Sequence, residues 1–463
     1  MAFYSPHTDD EIREMLSEIG AKSIEDLFRQ IPESLRLKKE LNLPRGIPEP
    51  KVEQALKNLA QKNQAGSGII CFAGGGVYQH YVPKAVDYLL SRSEFSTAYT
   101  PYQPEASQGT LQAIFEFQTM ISELTGMEVA NASMYDGGEA AAEAVLMSLR
   151  AGKNPKGSIL ISQGLHPHYC RVIETYTRHL EGVGAGLALP KFERKQVPLT
   201  SNGQLDLDAL KKIDDGYCLV VQHPNYFGCL EDMEAIAGLV KEKGWILIVV
   251  VVEALSLAIL EPPGSFGAGI VAGEGQSFGI HSGFGGPLLG FFAAKMDWVR
   301  RMPGRLVGET KDAEGRRGFV LTLATREQHI RRAKATSNIC TNHSLMALSA
   351  VIYLSLLGKQ GLVRLAKTNL ERANYLREKI SRSKNLKLRF RAPIFNEMTV
   401  QVGTDAEAAV KELAKEKILA GVPLKHHFPQ MADSLLIAAT EMNEKEQIDL
   451  LVDKLDKMAE KSR

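Results

Sequence analysis

The stretch Gly273-Glu-Gly-Gln-Ser-Phe-Gly-Ile-His-Ser-Gly-Phe-Gly-Gly-Pro-Leu288 decides how this chain is interpreted. An apolar strand precedes it, glycines form a turn within it, and a second apolar strand is predicted over 288–294. Such a loop is suited to presenting a reactive lysine, but Gln276 stands at the position where that lysine is expected. A primary amide forms no imine with an aldehyde, so the stretch predicts a site that has lost its covalent group.

The sequence around this loop predicts an α/β domain over 69–345. An amphipathic helix is predicted over 107–124, and an alanine-rich helix over 140–149. Short apolar runs with few polar residues alternate with these helical segments. Near-continuous apolar strands of this kind indicate a mostly parallel sheet with helices on both faces. The runs are 158–162, 218–222 and 246–252.

Two further units are predicted on either side of this domain. Residues 1–68 form an N-terminal helical arm whose first helix begins at the capping sequence Thr8-Asp-Asp-Glu11. A short helix is predicted over 23–30 and another over 49–62. Residues 346–463 form a small C-terminal α+β domain. Its elements are predicted as helices over 343–357, 361–381, 405–413 and 445–460, and strands over 386–390, 397–402 and 435–439.

Composition excludes several classes of protein. The net charge of +1 gives no electrostatic basis for binding nucleic acid or anionic membranes. The five cysteines are scattered and contain no CxxC pair, which favours a reducing compartment over a disulfide or zinc framework. The most apolar run, 245–260, contains Glu253 and is shorter than the roughly 20 residues of a membrane span. The N-terminus has no basic-then-apolar signal region, so a cytoplasmic protein is expected.

A second loop has the form of an anion site. Gly137-Gly138 opens the alanine-rich helix a few residues after Ser133, and a helix N-terminus favours phosphate. Glu139 lies in the first turn, where its carboxylate satisfies the helix dipole and repels a phosphate. An ordinary acid-capped helix start is therefore the favoured interpretation. Glu253 ends the strand over 246–252, where a carboxylate is usually structural.

Histidine and cysteine pairs give little support for a metal site. In His166-Pro-His168-Tyr-Cys170, three possible ligands share one face of an extended strand. Pro167 disrupts regular pairing, however, and no fourth ligand lies nearby in sequence. The pair His426-His427 is equally weak, so no metal is predicted.

Two aromatic loops are the predicted binding surface. Three glycines precede Tyr78, His80 and Tyr81, and glycines permit a close approach of the backbone. The second loop comes directly before the predicted helix over 107–124. Loops on a rigid scaffold often carry function, although tyrosines covering the edge of a core are an equal alternative for either loop. The residues of the second loop are Tyr99, Thr100, Tyr102 and Gln103.

Four long motifs characterise the chain. They are TAYTPYQPEASQGTLQAIFEFQTMISELTG (97–126), NASMYDGGEAAAEAVL (131–146), GEGQSFGIHSGFGGPLLGFFA (273–293) and TREQHIRRAKATSNICTN (325–342). These motifs resemble the P-protein of the glycine cleavage system, a glycine decarboxylase, in the alpha-subunit form found where the enzyme is split. The resemblance covers nearly the whole chain.

The resemblance implies a fold and a division of labour. It implies the type I, aspartate-aminotransferase-like fold of pyridoxal-phosphate (PLP) enzymes and an α2β2 assembly. A beta subunit then carries the lysine and the PLP, which stabilises the carbanion left when CO2 departs from glycine. The aminomethyl group passes to the lipoyl arm of the H-protein.

The resemblance also implies roles for individual residues. The family lysine falls on Gln276, so no catalytic residue is expected in this chain. Ser133, Gly137, Gly138 and Glu253 are the expected remains of a cofactor cradle. The family usually has Thr or Ser at the position of Glu139. It often has Asp followed by Pro at the positions of Glu253 and Ala254. Both departures argue against PLP binding. The residues expected at the partner's active site are Tyr78, His80, Tyr81, Tyr99, Thr100, Tyr102 and Gln103.

Two alternatives remain open at this point. One is a self-sufficient PLP-dependent decarboxylase or desulfurase that uses Lys334, although Lys334 lies in a charged run instead of following a strand. The other is a non-enzymatic scaffold that uses the fold only structurally.

Overall fold

The computed structural model describes residues 6–39, 41–63, 68–96, 99–151, 157–178, 192–283 and 285–462; Phe284 of the stretch quoted above lies outside them. The chain forms two compact units, Met1–Ala65 and Gly66–Arg463. The further predicted boundary near residue 345 stays a prediction. The helix Ser344–Arg382, α11, begins there and is long and apolar enough to cross a membrane, by length and composition alone. It bends at Gly358 and packs into the cores described below, as a core helix does.

The helices for which a range was predicted lie close to that range. The predicted break between two helices near residue 358 is a kink inside α11, where Gly358 has φ 59°. The predicted helix over 23–30 is a short 3-10 helix, Ile24–Phe28. The α-helices are α1 Asp9–Glu18, α2 Glu49–Ala60, α3 Lys84–Leu90, α4 Ser93–Ser96, α5 Gln108–Thr125, α6 Gly137–Ala151, α7 Pro167–Thr177, α8 Leu207–Lys211, α9 Met233–Glu242, α10 Gln328–Arg331, α11 Ser344–Arg382, α12 Ala406–Lys415 and α13 Lys445–Lys461.

The strands form four sheets in the described part of the chain. They are β1 Ile70–Cys71, β2 Val129–Ala130, β3 Ser158–Ser162, β4 Glu193–Val197, β5 Gly216–Gln222, β6 Ile246–Val251, β7 Ile270–Glu274, β8 Gly290–Ala294, β9 Leu306–Lys311, β10 Arg317–Thr322, β11 Lys387–Leu388, β12 Glu397–Gln401, β13 Ile418–Leu419, β14 Val422–Pro423 and β15 Ser434–Ala438.

The main sheet has seven strands in the order β2-β8-β7-β6-β5-β3-β4. Its pairs from β7 through β4 are parallel, and β8 pairs antiparallel with both β7 and β2. The mostly parallel sheet predicted from the apolar runs is therefore confirmed.

Helices cover both faces of this sheet. In β5, Leu219 and Val221 belong to one core, together with residues of α5, α9 and α11. Cys218 and Val220, which alternate with them, belong to a second core with residues of α6 and α7. Alternate side chains of a strand point to opposite faces, so a strand buried on both faces is apolar throughout, as the sequence indicated.

The C-terminal part contains an antiparallel sheet in the order β11-β12-β15-β14. Its core includes Leu376 and Ile380 from the second half of α11, and residues of α12 and α13. Strand β1 pairs in parallel with β13, so the chain just before the first aromatic loop is fixed to this C-terminal part. The loop then runs toward the carboxyl ends of β6 and β7, which meet at one edge of the main sheet.

Candidate functional site

Gln276 lies buried just after β7, and its amide is fully engaged. The carbonyl Oε1 accepts the backbone N–H of Tyr78 at 3.0 Å. The Nε2 group donates to the carbonyl oxygens of Tyr78 at 3.1 Å and Ile280 at 2.7 Å. An amide can donate and accept at once, whereas a lysine ammonium has donors only and would leave the Tyr78 N–H without this partner. The residue at the expected lysine position thus binds the first aromatic loop.

The N-terminus of α6 is satisfied by the chain's own carboxylates. The Gly137 N–H donates to Glu274 Oε2 at 3.0 Å, and the Glu139 N–H donates to Asp136 Oδ1 at 2.8 Å. The Tyr135 N–H, just before the helix, donates to Glu139 Oε2 at 3.1 Å. These carboxylates take two N–H groups at the start of α6 and one just before it, so the helix start is acid-capped, as the sequence favoured.

Glu274 also binds backbone groups outside helix α6. Its Oε1 also accepts the N–H groups of Gln276 at 3.0 Å and Leu289 at 2.9 Å, and burial raises its pKa to about 7. The surroundings are tight, because a Cβ at Gly137 would lie 2.3 Å from Tyr169 Oη.

Gly138 and Ser133 are two further residues of the predicted cradle. A Cβ at Gly138 would lie 3.2 Å from Asp136 Oδ1. Ser133 is buried, has φ 115°, and its hydroxyl has no hydrogen-bond partner among the described residues.

His80 lies between two carboxylates. Its Nδ1 donates to Glu441 Oε2 at 2.9 Å, and its Nε2 donates to Glu253 Oε2 at 3.3 Å. Burial alone lowers the pKa of His80, but the two carboxylates outweigh it and raise the pKa to about 10. Glu253 also accepts the Asn396 side-chain amide at 3.1 Å and the Leu255 N–H at 3.0 Å. The carboxylate at the end of β6 is therefore engaged by an imidazolium of its own chain.

Glu397 completes the attachment of the first loop. Its Oε1 accepts the Gly75 N–H at 2.6 Å, and its Oε2 accepts the Tyr78 hydroxyl at 3.0 Å. Burial raises the pKa of Glu397 to about 8. The Tyr81 N–H donates to Glu441 Oε1 at 2.8 Å. Loop 75–81 is thus bonded to the ends of the main-sheet strands and to the C-terminal part.

The side chains of this loop point in different directions. Tyr78 is buried, and the His80 side chain is 2% exposed, so both are turned into this chain. Tyr81 is 57% exposed. Of the three residues predicted here, Tyr81 is the one with an accessible side chain, and its contact with a partner stays a prediction.

The second aromatic loop is largely accessible. Tyr99 is 74% exposed, Tyr102 is 56% exposed, and Gln103 is also exposed. Beneath Tyr102 lies the buried Arg305, whose guanidinium is 5.6 Å from the ring centroid. Thr100 is partly buried, and its hydroxyl has no hydrogen-bond partner among the described residues. The role of this loop likewise stays a prediction.

Tyr102 is supported by the segment over 325–342. Arg305 donates to the Tyr102 hydroxyl at 3.4 Å and to the Cys340 carbonyl at 2.7 Å, and its Nε lies 3.5 Å from Glu327. The His329 ring lies edge-on to Tyr102 at 5.9 Å between centroids. Lys334 is exposed at the end of the 3-10 helix Arg332–Lys334. It does not follow a buried strand, so nothing in its surroundings favours its use as a Schiff-base lysine.

His166, His168 and Cys170 do not lie on an extended strand. Pro167 begins α7, and His166 caps this helix by accepting the His168 N–H at 3.1 Å. Proline is favoured in the first turn of a helix, because its missing N–H is not needed there. The two weak histidine motifs meet in space, with the rings of His168 and His427 5.0 Å apart. No group of three or more potential metal ligands occurs among the described residues.

Sequence reasoning missed the acids that bind the start of α6 and the first loop. Glu274 lies 137 positions from Gly137, which it binds. Glu397 lies 322 positions from Gly75, and Glu441 lies 360 positions from Tyr81. One signal was present: Glu274 is a charged residue at the end of an otherwise apolar strand, and a fully buried acid needs partners.

The fold and the site geometry define a class of protein. The seven-stranded sheet and the loop after β7 belong to the type I, aspartate-aminotransferase-like fold of PLP-dependent enzymes. The fold is similar to that of sphingosine-1-phosphate lyase from Burkholderia pseudomallei, with TM-score 0.64, 15% identity, and coverage of 93% of this chain and 94% of that one. It is also similar to a NifS-like protein from Rickettsia africae, with TM-score 0.61, 12% identity, and coverage of 85% and 99%.

Within this class, the chain belongs to the glycine cleavage system P-protein family, whose sequence profile matches residues 2–455. It is 50% identical to the probable glycine dehydrogenase (decarboxylating) subunit 1 of Carboxydothermus hydrogenoformans, over 98% of this chain and 99% of that protein. The same-named protein of Geobacillus kaustophilus is 48% identical, over 98% of each. A crystal structure of a glycine decarboxylase (P-protein) in inhibitor-bound form has TM-score 0.87 and 43% identity, covering 98% of this chain and all of that one.

The residues of this chain do not fit the cofactor that its fold class implies. Gln276 has no amine for PLP and is engaged with Tyr78. Glu274 and Asp136 hold the Gly137 and Glu139 N–H groups at the start of α6, and His80 holds Glu253. The chain therefore has no amine at position 276, and its own groups engage these two N–H groups and the Glu253 carboxylate.

The imidazolium of His80 predicts a pH-dependent stability. A folded pKa of about 10, above the ordinary 6.5, gives stabilisation that is complete below pH 6.5 and is lost as the pH rises through 10. Between about pH 7 and about pH 9, we expect the unfolding free energy of the wild type to fall more steeply with pH than that of His80→Gln. The difference between the two slopes is up to about 1.4 kcal/mol per pH unit, the value for one proton. Chemical denaturation of both proteins across this range measures the difference.

The buried Glu397, whose pKa burial raises to about 8, titrates in this range in both proteins, so the difference between their slopes is the quantity to compare. Burial raises the pKa of Cys170 to about 11 and that of Cys218 to about 12, so these thiols contribute mainly above pH 9. His281→Gln, at an exposed histidine paired with Asp87, is the control and is expected to keep the steep slope. Equal slopes for the wild type and His80→Gln would contradict the assignment of a buried imidazolium.

Proposed function

We propose that this chain is the lysine-free alpha subunit of a split glycine dehydrogenase (decarboxylating). The observation that carries the proposal is full-length similarity to subunit 1 proteins, combined with Gln276 at the position of the Schiff-base lysine. The partner beta subunit holds PLP and decarboxylates glycine. The aminomethyl group is then passed to the lipoyl arm of the H-protein in the bacterial cytoplasm.

The proposed contribution of this chain is a polar and aromatic surface at a shared active site. Tyr81, Tyr99 and Tyr102 are exposed, and Tyr and other aromatic side chains are enriched in interface cores. Thr100 and Gln103 lie on the same loop as Tyr102 and supply hydrogen-bonding groups. Tyr78 and His80 do not form part of the exposed surface and instead hold its backbone in place. The Tyr78 hydroxyl binds Glu397, and the His80 ring binds Glu253 and Glu441.

The proposed assembly is an obligate α2β2 tetramer. Helices α1 and α2 of the N-terminal unit contain no buried residues, although α1 has an apolar face and α2 carries Val52, Leu56 and Leu59. Large exposed apolar surfaces mark interaction sites, and permanent interfaces often bury more than about 2,000 Å². The arm therefore supports assembly with a partner.

Reconstitution from separately purified alpha and beta subunits tests this proposal. We expect light scattering after size exclusion to give two copies of each chain, and glycine–CO2 exchange to require both subunits. The control is each subunit alone with PLP and H-protein. Failure of the two chains to co-elute at micromolar concentration, or full exchange by the beta subunit alone, would contradict the proposal.

The self-sufficient alternative that uses Lys334 makes the opposite prediction. This chain alone would then carry activity, and Lys334→Ala would abolish it. Because Lys334 is exposed and outside the strand-loop environment of β7, we expect Lys334→Ala to leave exchange by the tetramer unchanged.

A further inference from the structure

Gln276 binds both the N–H and the C=O of one residue, Tyr78, while its second N–H binds Ile280. A pair of hydrogen bonds to one peptide residue fixes the orientation of the backbone as well as its distance. The bonds are buried, where an unpaired polar group costs more than it does in water. The amide at the former lysine position is thus used to hold the backbone of the loop.

The loop beyond Tyr78 is held as firmly. His80 bridges Glu253 and Glu441, and Glu441 accepts the Tyr81 N–H at 2.8 Å and the Asn369 amide at 3.0 Å. Nevertheless the Tyr81 side chain is 57% exposed. A rigid backbone that presents an exposed aromatic ring loses little conformational entropy when the ring is bound, which is how preorganised contacts are built.

We propose that Gln276 is a positioning residue for the decarboxylation, acting through the backbone of loop 75–81 to fix Tyr81 against the glycine site of the partner subunit. This proposal rests on the proposed function. It adds that the residue at the expected lysine position influences the shared active site through the backbone of loop 75–81. Gln276 itself touches no reacting atom.

The test uses Gln276→Glu in the assembled complex. Glutamate has the same shape and can accept the Tyr78 N–H, but its carboxylate cannot donate to the carbonyls of Tyr78 and Ile280. We expect kcat/KM for glycine in the exchange reaction to fall about 5- to 30-fold with the tetramer intact, the effect of losing buried hydrogen bonds.

Gln118→Glu is a matched control. Gln118 is also buried, and its amide binds the N–H and C=O of one residue, Val307, at 2.9 and 3.0 Å. We expect this variant to lower the melting temperature about as much as Gln276→Glu does, but to leave kcat/KM unchanged. Equal losses of kcat/KM in the two variants would show that Gln276 acts only through general stability.

A double-mutant cycle with Tyr81→Ala tests the route. If Gln276 acts through Tyr81, then Tyr81→Ala lowers kcat/KM, and adding Gln276→Glu lowers it no further. Full additivity, or an unchanged rate for Tyr81→Ala, would overturn the proposal. An inactive wild-type tetramer would instead contradict the proposed function.

A milder variant covers the case in which Gln276→Glu fails to assemble. Tyr78→Phe removes only the hydroxyl bond to Glu397 and keeps the buried ring. We expect a fall in kcat/KM of about 2- to 5-fold that also disappears in the Tyr81→Ala background. Persistence of its full effect in that background would overturn the proposal.

Discussion

Incubation of the isolated chain with one equivalent of PLP, followed by borohydride reduction, is expected to leave no phosphopyridoxyl-lysine. Gln276 cannot form an imine, and mass spectrometry of the peptides detects any adduct formed elsewhere. The assembled tetramer is the positive control, in which the adduct is expected on the beta subunit. A stoichiometric adduct at Lys334 would contradict both this prediction and the proposed division of labour.

Gln276→Lys is expected to remain without an adduct as well. Restoring the amine leaves Glu274 on the N–H groups of Gly137, Gln276 and Leu289, and leaves His80 on Glu253. A phosphate there would have to displace Glu274 from backbone N–H donors that are already engaged. A stoichiometric adduct at position 276 would show that the cradle is open and that loss of the lysine alone separates this chain from a PLP enzyme.

The secondary structure was largely predictable because local patterns carry it. The apolar runs of β5 and β6 are buried on both sides, and the helix signals at Thr8 and Gly137 reflect backbone groups that need capping. Gln276 was recognisable for a chemical reason, since the absence of an amine is visible in the sequence itself. The helix that begins at Pro167 was missed, because a proline at a helix start was interpreted as disruption of a strand.

The attachment of the first loop could not be predicted from local patterns. His80 meets Glu253 and Glu441 across 173 and 361 positions, which the fold alone brings together. Sequence indicated that Tyr78, His80 and Tyr81 belong to one functional loop. It could not indicate that two of these side chains turn inward while Tyr81 faces outward, because an irregular loop has no fixed period from which direction can be derived.

Among single substitutions in the tetramer, Tyr102→Ala is expected to have the largest effect on rate. The exposed ring lies over the Arg305 guanidinium and beside His329, so its position is fixed before a partner binds. Loss of one positioned contact in a buried shared site costs about 2 to 4 kcal/mol of transition-state stabilisation, which corresponds to a roughly 30- to 1,000-fold lower rate. Glycine–CO2 exchange by the purified tetramer measures it.

Tyr135→Ala separates this effect from loss of stability. Tyr135 is partly buried, and its hydroxyl accepts the N–H groups of Cys340 and Thr341 at 3.3 and 3.2 Å. Tyr135→Ala is expected to lower the melting temperature clearly and the exchange rate only slightly. Tyr102→Ala is expected to lower the exchange rate strongly and the melting temperature only slightly. It is also expected to leave the tetramer assembled, because one loop is a small part of a large interface. An unchanged rate for Tyr102→Ala in intact tetramer would show that this loop is structural and that the shared site lies elsewhere on the chain.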